Sequence, residues 1–148
     1  MLSSTSVLFT GCKPNDNLTP DTKTLTSIID TIIPSDEFAG AIEIGLDKKL
    51  QQHIEQKPKF NELITRILVN VTAISSQRHK TPFFELNIDQ REFLLNNIIA
   101  DNTKPLVRRD LVLLRNTLLP WYYQSKAGAA SIGFVLPANY PAYYGTVR

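Results

Sequence analysis

PKFNELITRILVNVTAI, residues 58–74, is the stretch that decides the fold. Phe60, Leu63, Ile64, Ile67, Leu68, Val71 and Ile74 recur every three or four positions, which is the spacing of one face of an α-helix. A strand would place its apolar residues at every second position, and this stretch does not. Pro58 suits the first turn, where a missing N–H is tolerated. The polar run SSQRHKTPF ends the pattern.

The same punctuation extends outward. Pro20, Pro34, Pro82, Pro105, Pro120 and Pro137 cut the 148-residue chain into segments of ordinary helix length. Thr19-Pro20 predicts a helix start, with Leu25, Ile28, Ile29 and Ile32 on one face and Pro34 as the stop. SDEFAG reads as a loop in which Ser35 or Asp36 caps the next helix. That second helix is expected from Ile42 to Gln56, with Leu46, Leu50 and Ile54 on one side. Asn87 with Gln90 predicts a capping box at the head of a fourth helix, whose Phe93, Leu94 and Ile98 face inward. A fifth begins near Pro105, carries Leu106, Leu113, Leu114 and Leu118, and is ended or kinked by Pro120. The glycines and prolines beyond it predict irregular chain. The expectation is an all-α fold: a small bundle of about five helices, with an irregular aromatic C-terminal segment wrapping over it. Residues 1–18 read as a leader and polar tether, and residues 19–148 as one helical domain.

Charge excludes some functions. Sixteen basic residues against fourteen acidic ones leave a net charge of +2, which gives no reason to expect nucleic acid as partner. One cysteine forms no internal disulfide, and two distant histidines do not make a zinc or haem site. GAASIG lacks the Lys-Ser/Thr of a phosphate loop, and no Gly-x-Ser-x-Gly elbow occurs. His53 and His79 read as solvated, Asp89 and Glu92 as favourable charges at a helix N-terminus, and Arg108-Arg109 as a solvated or salt-bridged helix face. No catalytic, cofactor-binding or metal residue is expected.

Two features remain. Trp121 and all five tyrosines fall in the last 28 residues. Such side chains are apolar in body and polar at the tip, a combination enriched at interfaces. Trp121, Tyr122, Tyr123, Tyr140 and Tyr143 are therefore candidate partner contacts; covering the open end of the bundle is the competing explanation. The second feature is Phe9-Thr10-Gly11-Cys12, which looks like the lipobox of a bacterial lipoprotein, with Phe9 where Leu is usual. Cys12 is thus a lipidation candidate, and an incidental thiol in a disordered leader is the alternative.

Three blocks carry a resemblance to the gluconate 2-dehydrogenase subunit 3 family. In Leu25 to Leu50 they are Ile32-Ile33-Pro34, Ser35-Asp36, Gly40-Ala41 and Gly45, with Ala39 where the family often has Pro. FFELNIDQREFLLNNI holds a Phe-x-x-Leu turn and Gln90-Arg91. Tyr122-Tyr123-Gln124-Ser125, Gly128, Ile132-Gly133-Phe134 and Tyr140-Pro141-Ala142-Tyr143 complete it. The resemblance implies a non-catalytic accessory subunit of a periplasmic, membrane-associated dehydrogenase. Flavin and substrate chemistry then belong to a large flavoprotein of the glucose–methanol–choline type, and electrons pass to a cytochrome c subunit. Ser35, Asp36 and Gly40 join the candidate partner contacts. The membrane would be reached through a lipid anchor if Cys12 is acylated. The alternatives are a stand-alone periplasmic lipoprotein binding a small molecule or an unrelated protein, and an enzyme with a site the sequence does not display.

Overall fold

The computed structural model describes residues 19–137. Cys12, Tyr140 and Tyr143 lie outside the described residues, as does the leader. The described chain forms six helices and no strand: α1 (Pro20–Ile32), α2 (Leu46–Gln56), α3 (Pro58–His79), α4 (Ile88–Ala100), α5 (Pro105–Tyr123) and α6 (Lys126–Ser131). A single 3-10 turn, Phe83–Glu85, joins α3 to α4.

The helix starts follow local chemistry. Thr19 accepts from the Thr22 N–H, and Pro20 opens α1. Asn87 and Gln90 make both halves of the capping box on α4, at 2.9 and 3.1 Å. Pro58 and Pro105 stand in the first turns of α3 and α5. Lys80 closes α3 in a left-handed conformation, its N–H bonded to the Ser76 carbonyl at 3.2 Å.

One apolar core runs through the bundle. α5 packs against α2, α3, α4 and α6, and α1 closes the other side against α2, α3, α4 and the 3-10 turn. Ile28, Leu50, Ile67, Val71, Leu94, Leu114 and Leu118 are fully buried at the centre. The stripe of α3 buries Leu63, Ile64, Ile67, Val71 and Ile74, as its spacing predicts.

Five expectations are corrected. α2 begins at Leu46 rather than Ile42: residues 41–45 form a hydrogen-bonded turn, and Gly45 caps the helix at φ 79°. Neither Ser35 nor Asp36 caps it. α5 runs through Pro120 to Tyr123. An interior proline there removes one hydrogen bond near the helix end, and the next turn is closed by the Gln124 N–H on the Pro120 carbonyl at 3.2 Å. The inward faces hold in part: Leu94, Ile98, Leu114 and Leu118 are buried as expected, and Phe93, Leu106 and Leu113 are not. Phe93 is 63% exposed, while Leu94, Leu95 and Ile98 are buried. Leu106 and Leu113 are exposed, and Val107, Asp110, Leu111, Leu114 and Leu118 face in. Finally, the stretch expected to be irregular contains α6, which Ser125 caps and Gly133, at φ 74°, terminates.

Candidate partner-docking site

Pro34 ends α1, and the chain doubles back through residues 34–41 to return beside its own start. The Ala41 N–H bonds the Ile33 carbonyl at 3.0 Å. Asp36 Oδ1 accepts the Phe38 N–H at 2.9 Å, so Asp36 shapes the loop from within. Ser35 and Asp36 are exposed at its tip. Gly40 sits where the two arms of the loop touch. A Cβ there would lie 2.6 Å from the Ser35 nitrogen and 2.8 Å from the Pro34 carbonyl carbon. Both are backbone atoms and cannot swing aside. Gly40→Ala is therefore expected to lower stability by about 1–3 kcal/mol, measured by urea denaturation. An unchanged midpoint would show that the loop gives way freely.

The two other blocks of the family pattern meet this loop. From α4, Arg91 Nη1 donates to Asp30 Oδ2 at 3.2 Å and to the Ser27 carbonyl at 3.4 Å. Arg91 also lines a cleft of about 300 Å³ with Ser35, Gly40 and Glu43. From the end of α5, the Tyr122 hydroxyl donates to the Ala39 carbonyl at 3.2 Å. Residues far apart in sequence thus hold the end of α1, through Arg91 on Asp30, and the loop after it, through Tyr122 on Ala39.

That contact decides the fate of the aromatic cluster. Tyr122 is 6% exposed, belongs to the core, and its hydroxyl is satisfied by the chain itself. Burial raises its pKa above the usual 10, so the phenol stays protonated. The expectation that Tyr122 meets a partner is overturned: the hydroxyl that suggested an outside acceptor finds one on the loop. Trp121 is half-buried against the core, and Tyr123 is exposed with its ring edge-on to Tyr122. Beyond them, Ile132, Phe134 and Val135 are exposed apolar residues.

Trp121 also closes one end of a second arrangement. Lys49 Nζ stands over its indole, 4.4 Å from the ring centroid. His53 lies edge-on to both Trp121 and Phe60, with centroids 5.3 and 4.7 Å apart. His53 is therefore a packed wall of α2 rather than the solvated residue its neighbours suggested. Its pKa is lowered by burial, then by Lys57 and Lys49. Beside it, His53, Lys57, Lys59, Phe60, Leu63, Leu113 and Thr117 line a groove of about 380 Å³.

Partial burial pushes Lys49 down to about 8 from 10.5. Between those values the unfolded chain holds a proton that the folded chain has released, so stability rises with pH across the interval. Wild type should gain about 2–4 °C in thermal midpoint over Lys49→Met between about pH 8 and 9.5, solvent screening keeping the effect small. Parallel curves for the two proteins would rule out this titration.

Asp110 escaped the sequence reading altogether. Its side chain is 0% exposed, held by Arg66 through Nε at 2.7 Å and Nη2 at 3.3 Å, with Arg109 Nη2 at 3.4 Å. The pairing with Asp110 raises the Arg66 pKa. The available signal was spacing: position 110 follows Val107 by three and precedes Leu114 by four. Arg108 turns outward to Asn102 Oδ1 at 2.7 Å, as expected for a polar face. Asp89 lies in the first turn of α4.

Among the described residues, no group of three or more His, Cys, Asp or Glu is placed to hold a metal ion. No described helix is long and apolar enough to cross a membrane. What the arrangement offers is contact surface: an exposed loop tip, an aromatic corner and a basic-rimmed apolar groove.

Comparison with known proteins gives a family match. A family model described as gluconate 2-dehydrogenase subunit 3 matches residues 19–141. No curated protein and no solved structure matches the chain.

Proposed function

We propose, from the premise that this chain belongs to the gluconate 2-dehydrogenase subunit 3 family, that it is the non-catalytic accessory subunit of a periplasmic flavin-dependent dehydrogenase. It binds the large flavoprotein subunit and assists its assembly, export or anchoring. The observation that carries this reading is the extent of the family match, which takes in every helix of the described chain. Residues from its three characteristic blocks meet around the end of α1 and the loop after it: Arg91 bonds Asp30, and Tyr122 bonds Ala39. A chain without a phosphate loop or nucleophile elbow fits a role in which flavin and substrate chemistry are supplied by the partner.

The experiment is deletion of this chain from its native host. The accessory reading expects flavin-loaded dehydrogenase activity to disappear from the periplasmic or membrane fraction and to return on complementation. Full activity in its absence, in the same fraction, would overturn the reading.

Anchoring belongs to the same proposal. Phe9-Thr10-Gly11-Cys12, with the polar KPNDNLTP after it, supports acylation at Cys12. Each buried lipid methylene would contribute about 0.8 kcal/mol to membrane binding. Intact mass and fractionation of the native protein check it: the expected product begins at an acylated Cys12 and sediments with membranes. A free thiol on a chain that retains the preceding residues, found away from membranes, would refute it.

A further inference from the structure

We propose that the groove between α2, α3 and the middle of α5 docks an acidic segment of the large subunit that carries an apolar face. The proposal rests on the accessory-subunit reading above and gives it a location, distinct from the aromatic corner. The floor of the groove is Phe60, Leu63 and Leu113, and its rim is His53, Lys57 and Lys59.

Three observations carry it. The first is an apolar residue the core does not use. α5 buries Val107, Leu111, Leu114 and Leu118 on its inner face, yet Leu113 stands 43% exposed beside the half-buried Phe60. The second is charge. Residues 48–59, KKLQQHIEQKPK, carry four lysines against one glutamate, in a chain whose whole net charge is only +2. Among the described residues, no carboxylate forms an ion pair with Lys57 or Lys59, although Glu55 and Glu62 lie one turn or less away in sequence. An apolar floor under a basic rim is complementary to an acidic segment with apolar anchors. The third is shape and rigidity. His53 is wedged between Phe60 and Trp121, so the wall is already in place before binding. The groove is open and shallow, about 380 Å³, with room for a few apolar side chains of a docked polypeptide.

The test uses the full chain and a purified large flavoprotein dehydrogenase subunit of its native host, and reads the dissociation constant at two salt concentrations. Leu113→Glu and the double variant Lys57→Glu/Lys59→Glu change exposed positions, and thermal midpoints check that they fold. Phe93→Glu, an exposed apolar residue of α4, is the control. The groove assignment expects each groove variant to bind about thirtyfold more weakly and the control to match wild type. Added salt should weaken wild type more than the lysine variant. If wild type binds and every variant binds equally well, the groove is overturned and the accessory reading stands. If wild type does not bind, both fall. Phosphatidylglycerol vesicles form the last arm: groove variants that lose vesicle binding but keep the large subunit would assign the groove to a membrane surface and overturn the proposal.

Discussion

Replacing Gly128 with alanine is expected to lower the thermal midpoint by about 6–12 °C. α6 lies across the end of α5 with no side chain between the two backbones. A Cβ on residue 128 would lie 2.5 Å from the Tyr122 carbonyl carbon, nearer still to its oxygen, and 2.9 Å from Tyr122 Cδ1. The first two are backbone atoms of a helix terminus that is already engaged. The Tyr122 carbonyl accepts from Ser125 Oγ at 2.6 Å and from the Ser125 N–H at 2.9 Å. Ser125 Oγ in turn accepts the Gly128 N–H at 3.0 Å, which caps α6. Room for a methyl group therefore requires α6 to lift, breaking the cap and uncovering Ala129 and Tyr122. Overpacking against rigid backbone costs about 3 kcal/mol, and a domain of this size loses about 2–4 °C per kcal/mol. Thermal unfolding monitored by circular dichroism measures it. A shift under about 2 °C would mean that α6 is not docked as described.

The second large effect concerns Asp110. Arg66→Met should destabilise by about 3 kcal/mol, because it leaves a fully buried carboxylate with only Arg109 at 3.4 Å. Arg66 is itself 40% exposed, so the loss arises from the stranded aspartate more than from the missing arginine. The double variant Arg66→Met/Asp110→Leu separates the two. Leucine at 110 would extend an apolar face already made by Val107, Leu111 and Leu114. Removal of both charges should therefore recover most of the stability, since apolar replacements of buried pairs are often neutral or better. Denaturant midpoints of the four proteins in the cycle decide it. If the double variant is as unstable as the sum of the single changes, the pair does not act as a unit. Arg109→Ala, which removes an exposed and longer contact, should stay within about 1 kcal/mol of wild type.

The features legible in the sequence were those set by near neighbours. The Thr19 cap, the Asn87–Gln90 box, the prolines at the heads of α1, α3 and α5, and the stripe of α3 each depend on a few adjacent residues. What the sequence hid depended on rotation or on distant partners. Phe93, Leu106 and Leu113 are as apolar as Leu95, Leu111 and Leu114, and only the packing of α4 and α5 on each other and on their neighbouring helices separates the inner set from the outer. Pro120 looked like a stop because its effect on an isolated helix is large. In the bundle, Trp121 is held by His53 and Lys49 of α2 and Tyr122 by Ala39 of the loop after α1, so the helix continues past it. Tyr122 is the sharpest case. Its hydroxyl suggested an outside partner, and the acceptor proved to be Ala39, 83 residues earlier in the chain. The glycines of the family pattern likewise gained meaning only in three dimensions, Gly40 and Gly128 each marking a place where two backbones touch.

The central claim is that this chain binds a flavoprotein and carries none of the redox chemistry itself. The most direct measurement is the mass and absorbance of the particle formed when it is co-expressed with a large flavoprotein dehydrogenase subunit of its native host. The account predicts one complex containing both chains, with all releasable flavin traced to the large subunit after the two are separated. A chain that elutes alone, or that retains flavin when separated, would contradict it.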